Sequence, residues 1–510
     1  MRLLLSVLLS VALPLHCHGA DAPAGAPQWR LAPAAHVADV PVDTPLHITF
    51  AQPPALGQRG AVRIFRVADH ALIDELRIGE DTDQIGYAQQ EYKRVVRYTP
   101  ITLQGATVTI RPHSARLDYD TEYEVVIDSD VFASASLGTG NGPGPTIQPW
   151  RFRTRAAPPT GNTLSVDDEG PADFRTVQGA LNHATRTLPR AAPVTIRIAN
   201  GRYDQLLYLR GKDNITLRGE SRDGVILEAL NNDGINPGTG AGRGPLTPVA
   251  NGGRSVLLIE DADLVTLDNL TLVNSTVRAH SKGGQAEALV FGSDRGRLVA
   301  RDASFFSEQD TVQVKGYSWF YHTLVAGNVD FIWGGNRAAL FEDSEIRTVG
   351  DSAHAGGGGG GGYIVQARTV AAGEPGYVLL DSRLTHGPGP LGNDVPPGKA
   401  YLARQGPPTS WDNVSFIRCR MDSHIAAQGW APVKEPKPQV STQTPPQQPT
   451  QPGVGWSEFG SMDMAGRPLD LSQRIGGRVL TAEQVAARFG SRQQIFKGFN
   501  DGRGWNPAPP

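Results

Sequence analysis

Two aspartates stand among apolar and amide residues in the second half of the chain, one short segment apart. Asp310 lies in SFFSEQDTVQV, where apolar and polar residues otherwise alternate as in strands with one buried face. Asp330 lies in NVDFIWG, between Val329 and Phe331. Two carboxyl groups placed close together in a partly apolar setting cannot both ionise easily, so one stays anionic while the other keeps a proton. The pair therefore offers a nucleophile and a proton donor.

Amide and guanidinium groups with suitable spacing complete this set. Gln309 adjoins Asp310 and Gln285 precedes both, and two amides could stabilise an oxyanion on a carbonyl. Arg404, in KAYLARQG, could keep a nucleophilic carboxylate charged and oriented. The intervals from Gln285 to Asp310 and from Asp310 to Asp330 each suit one coil of a parallel β-helix, whose coils stack about 4.8 Å apart. We expect Gln285, Asp310 and Asp330 to form a ladder on one sheet, as in an aspartyl esterase with a covalent acyl-enzyme.

Simpler interpretations exist for single members of this set. One aspartate alone is typical of a turn or a hydrogen bond at the end of a strand ladder in a β-helix. The combination with two glutamines and an arginine favours catalysis. The chain has no G-x-S-x-G motif, which disfavours a serine hydrolase, and its histidines lack metal-ligand spacing.

The elements that position these residues begin near residue 160. FRTVQGALNHATRTL (174–188) has a helical period, with Asp173 as the expected N-cap. More than ten short strands follow at close, irregular spacing, each ending in Gly, Asn or Asp, which indicates a solenoid. We predict a right-handed parallel β-helix over 160–505, capped by the initial helix. Two Gly-rich stretches (231–245 and 355–362) and a Pro/Gln-rich stretch (432–453) are predicted to be exterior loops.

A separate unit precedes the predicted β-helix. Residues 30–156 contain short runs rich in Val, Ile, Thr and aromatics between turn residues, which predicts a small antiparallel β-sandwich. The runs VDTPLHITF, TEYEVVID and PWRFRTR are similar to those of bacterial Ig-like domains found beside secreted enzymes. A spacer, a carbohydrate-binding module and a packing partner for the next domain are all open interpretations. The predicted fold class is all-β, and no catalytic residue is expected before residue 160.

Residues 1–20, MRLLLSVLLSVALPLHCHGA, have the pattern of a secretory signal peptide. The protein is therefore expected to be secreted, periplasmic or on the cell surface; lipid anchoring through Cys17 is disfavoured by His16. Removal of the peptide would leave Cys419 alone, so no internal disulfide is expected. The formal charge of −3 gives no support for a nucleic-acid partner, and no later apolar run has the length of a membrane span. We expect a monomer.

The motif series resembles that of the pectin methylesterases. It comprises GRYDQ, GQAEALVFGSD, SEQDTVQV, VDFIWG, YIVQAR and AYLAR, and the likeness runs from about 163 to 505. The resemblance implies a right-handed parallel β-helix without metal or cofactor. It also implies a role for each residue of the set: Asp330 as nucleophile, Asp310 as general acid and then base, Gln285 and Gln309 as the oxyanion hole, and Arg404 as the partner of Asp330.

Several positions depart from the family pattern, and residues 402–406 read LARQG in place of Leu-Gly-Arg-Pro-Trp. Gly406 stands where Leu-Gly-Arg-Pro-Trp has the tryptophan that offers a face to a sugar ring. Gln313 replaces a common aromatic residue, and Gln205 replaces an acidic one. Trp333 replaces a more usual phenylalanine and is a candidate substitute stacking surface for substrate. The catalytic set is unchanged by these departures, whereas the polymer contacts are altered.

The sequence favours a secreted carbohydrate esterase that removes methyl groups from esterified polygalacturonate. One alternative is hydrolysis of a different ester or a thioester by the same five residues. Another is a non-catalytic glycan-binding β-helix protein, which the retention of all five groups disfavours. A polysaccharide lyase would call for clustered aspartates and a basic catalytic residue, and that combination is not evident.

Overall fold

The computed structural model describes residues 29–86, 93–132, 150–241, 252–356, 360–433 and 455–509. The predicted signal peptide, with Cys17, lies outside these ranges, as does most of the Pro/Gln-rich stretch. No helix within them is long and apolar enough to cross a membrane.

The N-terminal unit consists of two small sheets and a hairpin. The first sheet contains β1 (Trp29–Ala32), β3 (Leu46–Phe50), β8 (Ile101–Gln104) and β9 (Thr107–Ile110), and the second contains β2 (Val37–Val40), β4 (Ala61–Arg66), β5 (Ala71–Arg77), β10 (Glu122–Ile127) and β11 (Trp150–Thr154). All pairs are antiparallel except β2 with β11. The hairpin joins β6 (Asp81–Ile85) to β7 (Arg94–Tyr98). Buried side chains of both sheets share one core, which confirms the predicted small antiparallel sheets; the Ig-like likeness stays a prediction.

Three long parallel sheets form the rest of the fold. Sheet 1 contains β12 (Thr163–Val166), β13 (Val194–Ile198), β16 (Ile215–Gly219), β19 (Val265–Asp268), β22 (Arg297–Arg301), β25 (Gly316–Tyr321), β28 (Asn336–Glu342), β31 (Gly376–Leu380), β34 (Val414–Ile417), β36 (Trp456–Phe459) and β38 (Arg478–Val479). Sheet 2 contains β14 (Gly201–Asp204), β17 (Val225–Ala229), β20 (Thr271–Asn274), β23 (Ser304–Phe306), β26 (Leu324–Gly327), β29 (Glu345–Val349), β32 (Arg383–Gly387), β35 (Arg420–Met421) and β37 (Met462–Asp463). Sheet 3 contains β15 (Leu207–Arg210), β18 (Leu257–Glu260), β21 (Leu289–Phe291), β24 (Val312–Val314), β27 (Val329–Gly334), β30 (Tyr363–Ala367) and β33 (Tyr401–Ala403).

Strands from the three sheets recur in a fixed order along the chain, and each pairs with a strand of the next coil. This is the predicted parallel β-helix. Its interior is filled by apolar side chains from all three sheets. The rings of Phe320 and Phe341 stack there with their centroids 4.3 Å apart, and Phe305 contacts Phe320 edge-on. Such a core fixes the register, because a slip by one residue would turn every apolar side chain outward.

Helix α1 (Val177–Thr187) covers the open end of this core with its buried residues, among them Val177 and Leu181. Its N-cap is Thr176, whose hydroxyl accepts a hydrogen bond from the N–H of Gly179, and not the expected Asp173. Asp173 lies before the helix, where its carboxylate accepts hydrogen bonds from the N–H and the hydroxyl of Ser165. The predicted helix is therefore present, but it begins later than expected.

The C-terminal segment lies against the outer face of sheet 1. It contains α2 (Ala482–Phe489) and the short helical segments α3 (Arg492–Ile495) and α4 (Phe499–Gly502). Phe489 and Phe496 pack with Trp319 of β25 in a second apolar cluster. Short 3₁₀ turns occur at Ser129–Val131, Arg278–His280 and Ser352–His354. This face is therefore covered, and the outer face of sheet 3 carries the candidate site.

Candidate active site

The register of sheet 3 brings three carboxyl side chains into line. Leu289 pairs with Val312 on the next coil, and Val312 pairs with Ile332 on the coil after. Two positions before these lie Glu287, Asp310 and Asp330, respectively. The two aspartates therefore occupy equivalent positions on neighbouring coils, as predicted. The third position belongs to Glu287 and not to Gln285, because the first of these two coils is slightly shorter than the glutamine spacing suggested.

The backbone at both aspartates is in the left-handed region. φ is 65° at Asp310 and 49° at Asp330, and the pairing of β27 with β30 is irregular between Val329 and Ile332. Aspartate tolerates this conformation better than most residues, and such local irregularity redirects a side chain. Left-handed residues of this kind are often found at functional sites.

Asp330 is paired with an arginine from a later coil. Arg404 donates from Nε to Oδ1 at 2.6 Å and from Nη2 to Oδ2, a bidentate arrangement that fixes the carboxylate plane. Asp330 is 4 % exposed, and this burial raises its pKa above the usual value, even though the hydrogen bond and charge of Arg404 and the charge of Arg368 lower it. Burial therefore favours the protonated form of Asp330, whereas Arg404 favours the charged form.

Asp310 has a different environment. It is 3 % exposed; Arg254 donates from Nη2 to its Oδ2 at 3.0 Å, and Gln285 donates from Nε2 to the same oxygen at 2.9 Å. The same guanidinium donates from Nε to both oxygens of Glu287, at 3.0 Å each. Burial, the charge of Glu287 and the charge of Asp330 raise the pKa of Asp310 well above its usual range. Arg254, Glu287 and Asp310 are called the acid triad below.

One guanidinium in the acid triad faces two buried carboxyl groups. Glu287 is fully buried, and burial raises its pKa to about 7 despite the charge of Arg254. Since one positive charge compensates one carboxylate, the second carboxyl group is stabilised in its protonated form. The triad can therefore hold a proton beside Asp330. Asp330, in contrast, does not share its bidentate partner Arg404 with another carboxylate of the site.

The two glutamines occupy different positions relative to the aspartates. Gln309 forms a bridge with Val329, and its amide makes no hydrogen bond to any described residue. Gln285 is already bonded: its Oε1 accepts from Arg254 at 2.8 Å, and one N–H is donated to Asp310. Both amides thus lie at the site, and Gln309 is the one whose donors have no partner within the described ranges.

Trp333 lies beside the triad but offers little open surface. It is 5 % exposed, and the guanidiniums of Arg368 and Arg254 lie over its ring at 4.4 and 5.7 Å from the centroid. Arg368 also donates to Gln366 and acts electrostatically on the two aspartates. The ring therefore packs under the arginines, and its expected role as a stacking surface is left as a hypothesis.

The place of the missing tryptophan is closed by the backbone. A Cβ on Gly406 would lie 2.2 Å from the carbonyl oxygen of Ala367, so no larger residue fits without a shift of the main chain. Aromatic surface is found instead on the two preceding strands. Tyr363 and Tyr401 pair in register and stack with centroids 6.0 Å apart, and Arg404 lies 5.5 Å from the Tyr363 ring centroid.

Two members of the site had not been predicted from the sequence. Glu287 carries a signal, an acidic residue between alanines in QAEAL, that the true register of this coil would have revealed. Arg254 follows a glycine pair in GGRS, and nothing in its neighbourhood marks it. No group of three or more His, Cys, Asp or Glu side chains in the described residues could hold a metal ion.

Most of the β-helix matches a known protein family. Residues 163–444, more than half of the 510 residues, match the Pectinesterase family. The chain belongs to the pectinesterase family. This is a family of carboxylic ester hydrolases, and the matched range includes every residue of the site described above.

Relatives in the pectinesterase family come from plants, bacteria and fungi. The chain is 27 % identical over 312 residues to a probable pectinesterase/pectinesterase inhibitor of Arabidopsis thaliana, covering 59 % of this chain but 46 % of that protein. It is 28 % identical to pectinesterase A of Dickeya chrysanthemi, covering 50 % and 72 % of the two chains. Among solved structures, the pectin methylesterase of Erwinia chrysanthemi gives a TM-score of 0.51 at 23 % identity, covering 68 % of this chain and all of that one. A pectin methylesterase variant in complex with a hexasaccharide gives 0.52 at 22 %, covering 69 % and 100 %. These structures share the β-helix fold.

Glu287→Gln should make the stability of the fold less dependent on pH between 4.5 and about 7. The pKa of Glu287 is raised in the fold from 4.5 to about 7, so its stabilising protonation is complete below pH 4.5 and is lost as pH rises through about 7. The melting temperature of the variant, relative to the wild type, should therefore rise between these pH values. Glu228→Gln, which removes a carboxylate from an exterior pair with Arg202, is the control and should not show this rise. A Glu287→Gln difference that stays flat or falls with pH would contradict the assignment.

Proposed function

We propose that the protein is a secreted pectin methylesterase that hydrolyses methyl esters of polygalacturonate through a covalent intermediate on Asp330. The observation that carries this proposal is the unequal charge compensation of two equivalent carboxyl groups. Asp330 has a bidentate arginine to itself, whereas Asp310 shares one arginine with Glu287. One group is thereby prepared to attack and the other to donate a proton.

In the first half of the reaction, the Asp330 carboxylate attacks the carbonyl carbon of the methyl ester. The oxyanion that forms accepts hydrogen bonds from the Gln309 amide and from the second N–H of Gln285. As the bond between carbon and methoxy oxygen breaks, Asp310 gives its proton to the leaving oxygen, and methanol departs. The product is an anhydride between Asp330 and the galacturonate carboxyl group.

In the second half, water enters on the side of Asp310, which is now ionised. Asp310 takes a proton from the water while the water oxygen attacks the galacturonate carbonyl carbon. The anhydride bond breaks, and Asp330 leaves as a carboxylate that Arg404 stabilises. The proton that Asp310 gave to methanol is replaced by one from the water, and both aspartates return to their resting state.

The acid triad accounts for how Asp310 can serve as acid and then as base. When Asp310 is ionised, Arg254 compensates its charge, and when Asp310 is protonated, Arg254 compensates Glu287 instead. Both bonds exist within one guanidinium, so the exchange requires no large movement. The pKa of Asp310, raised by burial and by Glu287, keeps the acid form available above the usual carboxyl range.

The polymer substrate is supported by the family relatives and by the partial exposure of Arg404 at the site. Stacking on Tyr363 and Tyr401 takes the place of the tryptophan that Gly406 excludes. The same closure at Gly406 favours one alternative, hydrolysis of another ester or a thioester by the same residues. Methanol release from methylated pectin, compared with hydrolysis of short acyl esters, decides between them. Preference for the short esters would overturn the pectin assignment.

Asp330→Asn and Asp310→Asn should affect turnover to different extents. Loss of the nucleophile removes nearly all methanol release. Loss of the acid and base lowers kcat by about 10² to 10⁴, because both halves of the reaction need a proton transfer. Asp343→Asn is a matched control, since Asp343 is also left-handed (φ 46°) but lies on an exterior turn. Near-normal turnover in a folded Asp330→Asn variant would exclude the mechanism.

Tyr363→Ala should weaken polymer binding more than it affects chemistry. Removal of the ring takes away a stacking surface beside Asp330, so KM for methylated pectin should rise roughly tenfold, which corresponds to about 1.4 kcal/mol. The kcat should fall less, and KM for a short methyl ester should change little. Tyr363→Phe keeps the ring and serves as the control. An equal change of KM on polymer and short ester would show that the ring does not contact the sugar chain.

A further inference from the structure

The hairpin of β6 and β7 packs on the outer face of sheet 3, next to the acid triad. Ile85 and Val96 of the hairpin form an apolar cluster with Tyr208, Leu258 and Val290 of the sheet. Contact with the segment that begins at Gly252 is closer still, because a Cβ on this glycine would lie 2.1 Å from the carbonyl oxygen of Val95. The hairpin belongs to the N-terminal unit, so this unit reaches the region from which Arg254 extends.

Arg94, at the start of β7, is fully buried and donates only to main-chain carbonyl groups of the β-helix. Its Nε donates to Gly252 at 2.6 Å, and its Nη2 donates to Gly253 at 2.9 Å and also to Ser255. Its Nη1 donates to Leu207 at 2.7 Å and to Val256 at 3.1 Å. All of these carbonyls except that of Leu207 belong to residues 252–256, the segment that carries Arg254.

This guanidinium has no carboxylate within ion-pair distance in the described ranges. Burial lowers the pKa of Arg94 to about 10, with partial compensation from the charges of Tyr208, Glu260 and Glu287. A buried charge with no ionic partner is costly unless its donors are satisfied. Here all but one of the hydrogen bonds from Arg94 are donated to the backbone of residues 252–256.

A second set of bonds holds the same segment from the other side. Asn231 donates to the carbonyls of Gly253 and Ser255 at 3.1 and 2.9 Å, and Asn274 donates to the carbonyl of Arg254 at 3.3 Å. Asn236 donates to Asn231 and also exchanges hydrogen bonds with the backbone of Arg97 in the hairpin. The hairpin and the asparagines together leave residues 253–255 little freedom.

We propose that Arg94 is a positioning residue for the active site, acting through the backbone of residues 252–256 and the side chain of Arg254 on Asp310. The N-terminal unit then contributes to catalysis and is more than a spacer. The proposal rests on the proposed function for its assay. It adds a positioning residue to a unit in which no catalytic residue is expected.

A double-mutant cycle on the full-length protein tests this route. Arg94→Met removes the guanidinium donors while keeping the apolar stem, and Arg254→Met removes the contact with Asp310. A displacement of Arg254 by a fraction of an ångström to about 1 Å should lower kcat on methylated pectin by roughly 10- to 100-fold, with KM little changed. In the Arg254→Met background, the added loss from Arg94→Met should fall below about threefold, because neighbours acting through one route are not additive.

Arg111→Met is the control, since Arg111 also bonds the β-helix from the N-terminal unit, through Asp204, but does not contact residues 252–256. It should leave kcat unchanged in both backgrounds. Arg94→Lys keeps the positive charge but has fewer hydrogen-bond donors, and it replaces Arg94→Met in the cycle if Arg94→Met does not fold. Additive losses, or an unchanged kcat in a folded Arg94 variant, would overturn the proposal. A wild type that releases no methanol refutes the proposed function instead, and the cycle is then run on the short ester that it does hydrolyse.

The pH profile gives a readout that general destabilisation would not move. The groups that act electrostatically on Asp310 are Arg254, Glu287, Asp330, Arg368 and Arg404. Of these groups the proposal moves only Arg254, and Arg254 lowers the pKa of Asp310. Arg94→Lys keeps the positive charge that interacts with Glu287, so it is the control for loss of that charge. Because Asp310 must be protonated to act as the acid, the alkaline limb of kcat/KM should shift to higher pH in Arg94→Met. An unmoved limb together with a lower kcat would contradict a route through Arg254.

Discussion

The pairing register between successive coils of sheet 3 is the constraint on which the site depends. It places Glu287, Asp310 and Asp330 at equivalent positions on three coils, at the spacing of hydrogen-bonded strands. Carboxyl groups this close repel one another when ionised, so the fold must compensate them or protonate them. Two arginines are hydrogen-bonded to these three carboxyl groups, and the carboxyl group left without an arginine of its own is what keeps a proton at the site.

The candidate site and the packing of the fold are therefore linked through Arg254 and Arg404. Arg404 comes from a later coil of the same sheet and is 37 % exposed, so it can also face substrate. Arg254 is buried, and its backbone is held by hydrogen bonds from the N-terminal unit and from the asparagine network. The two aspartates thus differ because their arginines belong to structurally different surroundings, one open and one enclosed.

Much of this arrangement could be predicted from the sequence. The alternation of short strands with turn residues predicted the β-helix, and the motifs around Asp310, Asp330 and Arg404 identified residues that the structure brings together. The register between coils cannot be predicted from the spacing of glutamines and aspartates alone, and this spacing predicts Gln285 at the position that Glu287 occupies. Arg94 and Arg254 could not be found, because their importance comes from contacts between segments far apart in the sequence, which leave no local pattern.

The nucleophilic role of Asp330 is tested most directly by trapping the acylated enzyme. The full-length protein is mixed with a short methyl-esterified galacturonate oligomer, quenched in acid during turnover and reduced with borohydride, which converts an acylated aspartate into homoserine. Peptide mass spectrometry then locates the modified residue, with enzyme lacking substrate as the control. We expect homoserine at position 330 alone. Conversion at another carboxyl group, or methanol release with Asp330 unmodified, would contradict the mechanism.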